Sequence, residues 1–313
     1  MIVVCGEALI DMIQNGDGTQ RPAPGGGPFN TARALARLGV PTAFLGRLSE
    51  DEFGRELAEL LVADGASLEL SSFGPEPTTT ALADVDSHGL AEYRFVVDGT
   101  SAPNLTADMV PAKLNHDVNA LHLGTLGLVL EPMASTLVEL VRRERDGRLV
   151  MIDPNIRAGL TDDDEYRRRL AALMAESTIV KASDTDLAWL FPDRDYESAA
   201  GDMVRQGTPL VVVTLGADGA YGAVGDLRVH VDAPPVEVVD TIGAGDAFGA
   251  GLLAWLYDQG LVRPDLTLDE DRLRAALTYA CLAASLTCAR AGADPPWKRE
   301  MEEAQRRFGI AAD

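Results

Sequence analysis

Short apolar runs alternate with stretches of helical periodicity along most of the 313-residue chain. The runs Ile2–Cys5, Thr42–Gly46, Ala120–Leu123, Leu149–Asp153, Ile179–Ala182 and Leu210–Leu215 are apolar at nearly consecutive positions rather than at alternate ones. That is the pattern of strands covered on both faces. Helical stretches lie between them. Pro28–Leu38 opens with Gly27-Pro28 and stops at Gly39, with proline at the start and glycine past the end. Asp51–Ala63 is preceded by Ser49, which stands three residues before Glu52 at capping-box spacing, and it ends near Gly65. Strand–helix alternation of this kind predicts parallel strands joined by right-handed crossovers. The expected fold is a doubly wound, mainly parallel α/β sheet in one domain spanning residues 1–313.

Two segments break the rhythm. Asp11–Pro24 is polar and rich in glycine and proline, yet follows a buried strand. Thr78–Val85 and Leu90–Val97 are two β-rich runs joined by Asp86-Ser87-His88-Gly89, which reads as a hairpin. Strands inserted into an α/β alternation need their own place to pack. A small β-sheet lid built from inserts at about 12–24 and 76–102, set over a ligand crevice, is the simplest solution.

Composition narrows the function classes. The hydrophobic fraction of 46% suits a chain with a sizeable core. Without a run of eighteen apolar residues, no membrane span is expected. The opening MIVVCGEALIDMI has neither the basic region nor the cleavage site of a signal peptide, so a cytoplasmic location is expected. Cys5, Cys281 and Cys288 are too few and too scattered for a disulfide framework or a zinc site. A net charge of −22 argues against nucleic acid as a partner. It also requires that any polyanionic ligand be captured locally, by backbone N–H groups, a metal ion and a few arginines.

Candidate chemistry concentrates in two glycine-rich motifs. Asp240-Thr241-Ile242-Gly243-Ala244-Gly245-Asp246 follows a strand expected at Val236–Val239 and opens an apolar helix, Ala247–Tyr257. Glycines at 243 and 245 let the backbone turn tightly and aim successive N–H groups at one point, and the helix N-terminus adds positive potential. Such a loop receives an anion. Asp246, in the first turn beside it, can accept a proton from an attacking hydroxyl. Read alone, the motif is equally a capping Asp after a glycine turn. The second motif, Gly25-Gly26-Gly27-Pro28-Phe29-Asn30, opens the first long helix. Its glycines allow a ligand close approach, and Asn30 can donate to and accept from sugar hydroxyls. A plain glycine-rich helix start is the competing reading.

Together, in this order and separation, the motifs resemble the two signatures of the ribokinase-like (PfkB) carbohydrate kinase family. The Gly-Gly-Gly-Pro-Phe-Asn and Gly-Glu-Ala-Leu-Ile-Asp sequences look closest to fructokinase-type members. The resemblance implies ATP-dependent phosphorylation of a sugar hydroxyl, with fructose or a related ketose as substrate. It gives Gly243, Ala244, Gly245 and Asp246 the catalytic roles. Asp11, Gly26, Gly27, Asn30 and Phe95 are implied at the sugar, Arg157 at the sugar or the ATP phosphates unless it is simply a solvent-exposed arginine, and Ser183, Thr214, Gly216, Gly219, Gly243, Gly245 and Cys281 at ATP. Many relatives carry Asn-x-x-Glu to organise Mg²⁺ through water. Here the matching stretch is Ser183-Asp184-Thr185-Asp186, leaving Asp186 as a water-mediated Mg²⁺ ligand or merely as part of a helix cap. Asp240, the Ile242 carbonyl and carbonyls near Ala289–Gly292 are implied as a site for K⁺, and the lid as a homodimer contact.

Other readings compete. A nicotinamide-dependent dehydrogenase would place its glycine fingerprint in an early βαβ unit, with an acidic residue about twenty positions later. The glycines around 243–251 stand too late for that. No Gly-x-x-x-x-Gly-Lys-Ser/Thr sequence occurs, which excludes a P-loop enzyme. A sugar-sensing protein that has lost its chemistry would not need Asp246. Within the family, 2-keto-3-deoxygluconate kinase, ribokinase and nucleoside kinase remain alternatives to fructokinase.

Overall fold

The computed structural model describes residues 1–14, 19–85, 91–157, 160 and 164–310, with backbone alone for 83–85 and 91–93. The main sheet has eight strands. β1 (Ile2–Cys5) lies between β4 (Thr42–Leu45) and β9 (Ala120–Gly124). β10 (Leu149–Asp153), β11 (Ile179–Ser183) and β12 (Leu210–Thr214) continue outward from β9. All these pairings are parallel. β13 (Ala220–Val224) and β14 (Leu227–Val231) finish the edge as an antiparallel hairpin.

The consecutive apolar strand residues are explained by the two layers. From β1, Ile2 and Val4 enter one core, while Val3 and Cys5 enter the other, and all four are fully buried. Helices α1 (Gly27–Arg37), α2 (Glu52–Asp64), α7 (Ala244–Asp258), α8 (Glu270–Cys288) and α9 (Lys298–Phe308) cover the first face. Helices α3 (Met133–Glu144), α4 (Asp164–Ala175), α5 (Asp184–Leu190) and α6 (Tyr196–Arg205) cover the second.

The chain builds outward from β1 to β4, then returns to β9 on the other side. Adjacent crossovers therefore diverge at β1 and β9, and a crevice opens at the C-terminal ends of those strands. The inserted segments form a separate four-stranded sheet in the order β3 (Gln20–Gly25), β2 (Leu9–Gln14), β7 (Thr80–Val85), β8 (Ala91–Val96). Leu9, Ala81 and Leu126, with Phe95 against them, join this sheet to the body beside the crevice. The turn expected at Asp86–Gly89 lies outside the described residues. A short parallel pair, β5 (Arg47–Ser49) and β6 (Ser72–Gly74), completes the strands among the described residues.

The insert expected at about 12–24 contributes paired strands β2 and β3 to the small sheet, with Pro22 and Pro24 on its edge, where a missing N–H is tolerated. Two local expectations change. The cap of α2 is Asp51, whose Oδ1 accepts from Gly54 N at 2.8 Å, while Ser49 Oγ accepts from Asp51 N. Val236–Val239 forms no strand. Val238 and Val239 are each 61% exposed, and Val239 N–H donates to the Cys288 carbonyl at the end of α8. No helix among the described residues is long and apolar enough to cross a membrane.

Candidate active site

Strand ends and two helix starts converge on a cavity of about 310 Å³, near the lower end of the range for small-molecule sites. Gly26, Gly27 and Asn30 come from the start of α1, Asp11 and Phe95 from the small sheet, and Gly243, Gly245 and Asp246 from the start of α7. The two motifs, more than two hundred residues apart in sequence, touch directly. Asn30 Nδ2 donates to Asp246 Oδ2 at 2.9 Å. Asn30 Oδ1 is buried and has no hydrogen-bond partner among the described residues.

The α1 motif needs its glycines for close approach. A Cβ at Gly25 would lie 2.1 Å from Asp11 Oδ2, and one at Gly27 would lie 2.4 Å from Thr125 Oγ1. Gly26 has φ +107°, outside the range of L side chains. At α7, Gly243 is the N-cap with φ +76°, and no side chain caps the helix. Within the anion loop, Ala244 N–H turns back to the Thr241 carbonyl at 3.2 Å, and the Gly245 and Asp246 N–H groups follow it at the helix start.

Electrostatics distinguish the acids. Asp246 is 9% exposed, and burial pushes its carboxyl up to about 6. The Asn30 amide, Lys181 and Arg157 work against that rise, and Asp153 adds to it. Burial likewise lifts Asp11 to about 6, opposed by Arg157. Arg157 lines this cavity and not the neighbouring one.

A second, mostly apolar cavity lies on the other side of the α7 start. Thr214, Gly216, Gly219 and Cys281 line it with Pro234, Pro235, Val236 and Phe248. The exposed valines of the Val236–Val239 segment thus have a local use, since Val236 and Val238 form one wall. Cys281 acts there as a neutral apolar surface, its thiol pushed up to about 12 by burial. Thr241 and Gly245 line both cavities and mark where they meet.

Ser183 and Asp186 line neither cavity. Ser183 caps α5 by accepting from Asp186 N, and Asp186 Oδ2 accepts from Ser183 N and Oγ at 2.8 and 2.7 Å. Asp186 Oδ1 takes the Ile156 N–H at 2.8 Å. The capping pair is realised, with three protein donors on the Asp186 carboxylate. Asp240 joins the segments expected at a monovalent cation: Oδ1 accepts from Ile242 N at 3.0 Å and Oδ2 from Gly292 N at 2.8 Å.

Besides Leu9 and Leu126, four polar residues at the cavity lie outside the expected set. Glu7, fully buried after β1, accepts from Gly27 N at 3.3 Å and Gly127 N at 3.0 Å, fixing two cavity walls. Lys181 rises from β11 to Asp153. Thr125 and Asn155, with φ +51° and +40°, are the only non-glycine residues of positive φ among the described residues, and Asn155 Nδ2 donates to Thr125 Oγ1. A charge inside an apolar run was a readable signal for Lys181; the backbone strain at Thr125 and Asn155 had none.

Comparison with known proteins places this geometry. The family model for pfkB family carbohydrate kinases matches residues 1–299. A fructokinase from Rhizobium leguminosarum bv. trifolii is 40% identical over 281 residues, covering 88% of this chain and 86% of the relative. A fructokinase from Vibrio cholerae O395, solved with fructose, ADP and calcium ion, superposes with TM-score 0.82 at 29% identity, covering 93% and 94% of the two chains. Aminoimidazole riboside kinase from Salmonella enterica, complexed with aminoimidazole riboside and an ATP analog, gives TM-score 0.84 at 25% identity, with 96% and 98% coverage. The chain belongs to the pfkB family of carbohydrate kinases, enzymes that transfer phosphate from ATP to a sugar hydroxyl.

Proposed function

We propose that the protein is a fructokinase in which Asp246 removes the proton of the attacking hydroxyl. The observation that carries this reading is the Asn30–Asp246 hydrogen bond of 2.9 Å in the first cavity, beside Gly245, which lines both cavities. A sugar held by Asn30 presents its hydroxyl to that carboxylate, and a γ-phosphoryl group arriving past Thr241 and Gly245 meets it in line. Asp11 and Asn30 bind hydroxyls, Gly26 and Gly27 admit the ring, and Phe95 covers one face. ATP lies over Thr214, Gly216, Gly219 and Cys281, with the N–H groups of Gly245 and Asp246 stabilising charge on the transferring oxygens. Mg²⁺, when bound to the ATP phosphates, neutralises their charge; Asp186, committed to capping, would meet it only through water. A K⁺ ion beside Asp240 and Ile242 would brace the turn that precedes Gly243. The small sheet acts as a lid that excludes water from the phosphoryl group, and a homodimer would form through it. A cytoplasmic location is part of this proposal.

Charge speaks for a neutral sugar over 2-keto-3-deoxygluconate. Asp11 and Asp246 line the sugar cavity against Lys181 and Arg157, Glu7 is held neutral by burial that pushes its carboxyl up to about 8, and Lys181 is already paired with Asp153. A carboxylated sugar would therefore depend on Arg157, which faces Asp11 and Asp246 as well. The test is ATP turnover across fructose, ribose, 2-keto-3-deoxygluconate and a nucleoside panel. The highest kcat/KM on fructose is expected, and a keto-acid sugar or nucleoside at the head of that order would overturn the assignment.

A further inference from the structure

Beneath the anion loop lies a charge pair that hydroxyl binding and phosphate capture leave unexplained. Lys181 is 4% exposed, and its Nζ stands 2.8 Å from Asp153 Oδ2. Asp153 Oδ1 is buried with no partner among the described residues. A Cβ built on Gly245 would come within 3.1 Å of Lys181 Nζ, so the ammonium presses against the residue before Asp246. Earlier positions on the same face of these strands, Leu149, Met151 and Ile179, are core hydrophobics. The polar pair begins only where β10 and β11 reach the cavity. Apolar residues of similar size would fill the space without the desolvation penalty of two buried ions.

Asp246 is surrounded from every element around it. Asn30 reaches it from α1, Glu7 from the connection after β1, Asp11 from β2, and Asp153 with Arg157 from β10 and the loop beyond. Lys181 approaches from β11, and His122 lies near Lys181 on β9, held neutral by burial and by that lysine. Both cations line the cavity, Arg157 beside Asp11 and Lys181 buried to 4% exposure at its floor.

We infer that Lys181 and Asp153 are positioning residues that set the charge state of the catalytic carboxylate, Lys181 holding Asp246 ionised and Asp153 opposing it. This rests on the reading of Asp246 as the base. The directions are consistent: among the influences on Asp246, Asp153 favours the protonated form and Lys181 the carboxylate. Lys181 itself stays charged, because its carboxylate neighbours, Asp153 first, outweigh the burial that disfavours an ammonium.

The test is single-turnover phosphoryl transfer to fructose by rapid quench, followed from about pH 5 to pH 9 so that the acid limb of the base is bracketed. Lys181→Met, Asp153→Asn, the double variant and Asp246→Asn are compared, with thermal melting and sugar titration checking each fold. The acid limb should move up by about one unit in Lys181→Met and down in Asp153→Asn, and return near its wild-type position in the double variant. If Lys181→Met does not fold, the double variant, which buries no unpaired charge, and Asp153→Asn carry the same test. Limbs that stay within about 0.2 unit of wild type in the folded variants, or that move in one direction together, overturn the inference, since packing alone has no sign. Near-normal transfer in Asp246→Asn would instead remove the base itself. That separates failure of the underlying reading from failure of this one.

Discussion

Gly27→Ala tests the geometry of the sugar cavity most sharply. The added Cβ would lie 2.4 Å from Thr125 Oγ1 and 3.4 Å from Asp246 Oδ1. Carbon–oxygen contacts settle near about 3.5 Å, so the two walls must part by roughly 1 Å. Thr125 cannot simply turn away. Its Oγ1 accepts from Asn155 Nδ2 at 3.1 Å, and its backbone already sits at φ +51°. Relief must come from moving the start of α1, which carries Asn30. Overpacking of this kind costs about 1–3 kcal/mol, and displacing a reacting group by about 1 Å costs roughly 10²-fold in rate. The expected result is a fall of about 10²-fold in kcat/KM for fructose, read by coupled ADP release. KM for ATP should hold, because Gly27 does not line the nucleotide cavity. The melting temperature should not fall far, since alanine is favoured over glycine by about 1 kcal/mol within a helix.

A second substitution separates the clash from general damage. Thr125→Ala removes the atom that Cβ would strike, at the cost of one hydrogen bond from Asn155, or about 0.5–1.5 kcal/mol of stability. Gly27→Ala combined with Thr125→Ala should therefore be more active than Gly27→Ala alone, a coupling that only touching residues show. Gly27→Ala within about 3-fold of wild type, or a double variant no better than the single one, would refute the steric reasoning.

Asp246→Asn keeps an oxygen to accept from Asn30 but cannot accept the hydroxyl proton, so kcat should drop by about 10²–10⁴-fold while the fructose dissociation constant is nearly kept. A base raised to about 6 is lost as pH falls through that value, so wild-type kcat should climb with pH through about 6; a flat profile there would contradict the assignment. Arg157→Ala should raise KM for sugar and leave that for ATP, because Arg157 lines the sugar cavity alone; the opposite pattern would return it to the ATP phosphates. Amide exchange along Thr80–Val85 and Ala91–Val96 should slow on fructose binding, and unchanged exchange at saturation would make that sheet a fixed wall.

What the sequence disclosed follows from the range of each signal. The order of strands and helices was legible because consecutive apolar runs are a local consequence of burial on both faces, and β1, β10, β11 and β12 lie within one residue of where the pattern placed them. The glycine motifs were legible because tight turns and close approach admit few residue types. The Val236–Val239 run misled: its β-branched residues look like a strand, but the sheet ends at β14, and the segment finds its place as a nucleotide-cavity wall. Glu7, Thr125 and Asn155 were hidden for a different reason. Their roles depend on register between strand ends far apart in sequence, such as the Glu7 bond to Gly127, which no local window contains.

With ATP assigned to the second cavity as proposed, the geometry accounts for its uptake by a chain of net charge −22. The nucleotide cavity is lined by Thr, Ser, Cys, Gly, Ala, Pro, Val and Phe, without an Asp or Glu, so the base and ribose meet no repulsive charge. Acidic groups stand instead on the sugar side, behind the start of α7, where Lys181 and Arg157 face them. Between the two lie the Gly245 and Asp246 N–H groups at a helix N-terminus, a fixed positive potential that the distant surface charge barely screens. Thr241 and Gly245, the residues common to both cavities, thus mark a boundary between a neutral chamber and an acidic one. An anionic γ-phosphoryl group is drawn as far as that boundary and opposed beyond it by the carboxylates. A neutral sugar is free to enter the acidic side and bring its hydroxyl up from behind.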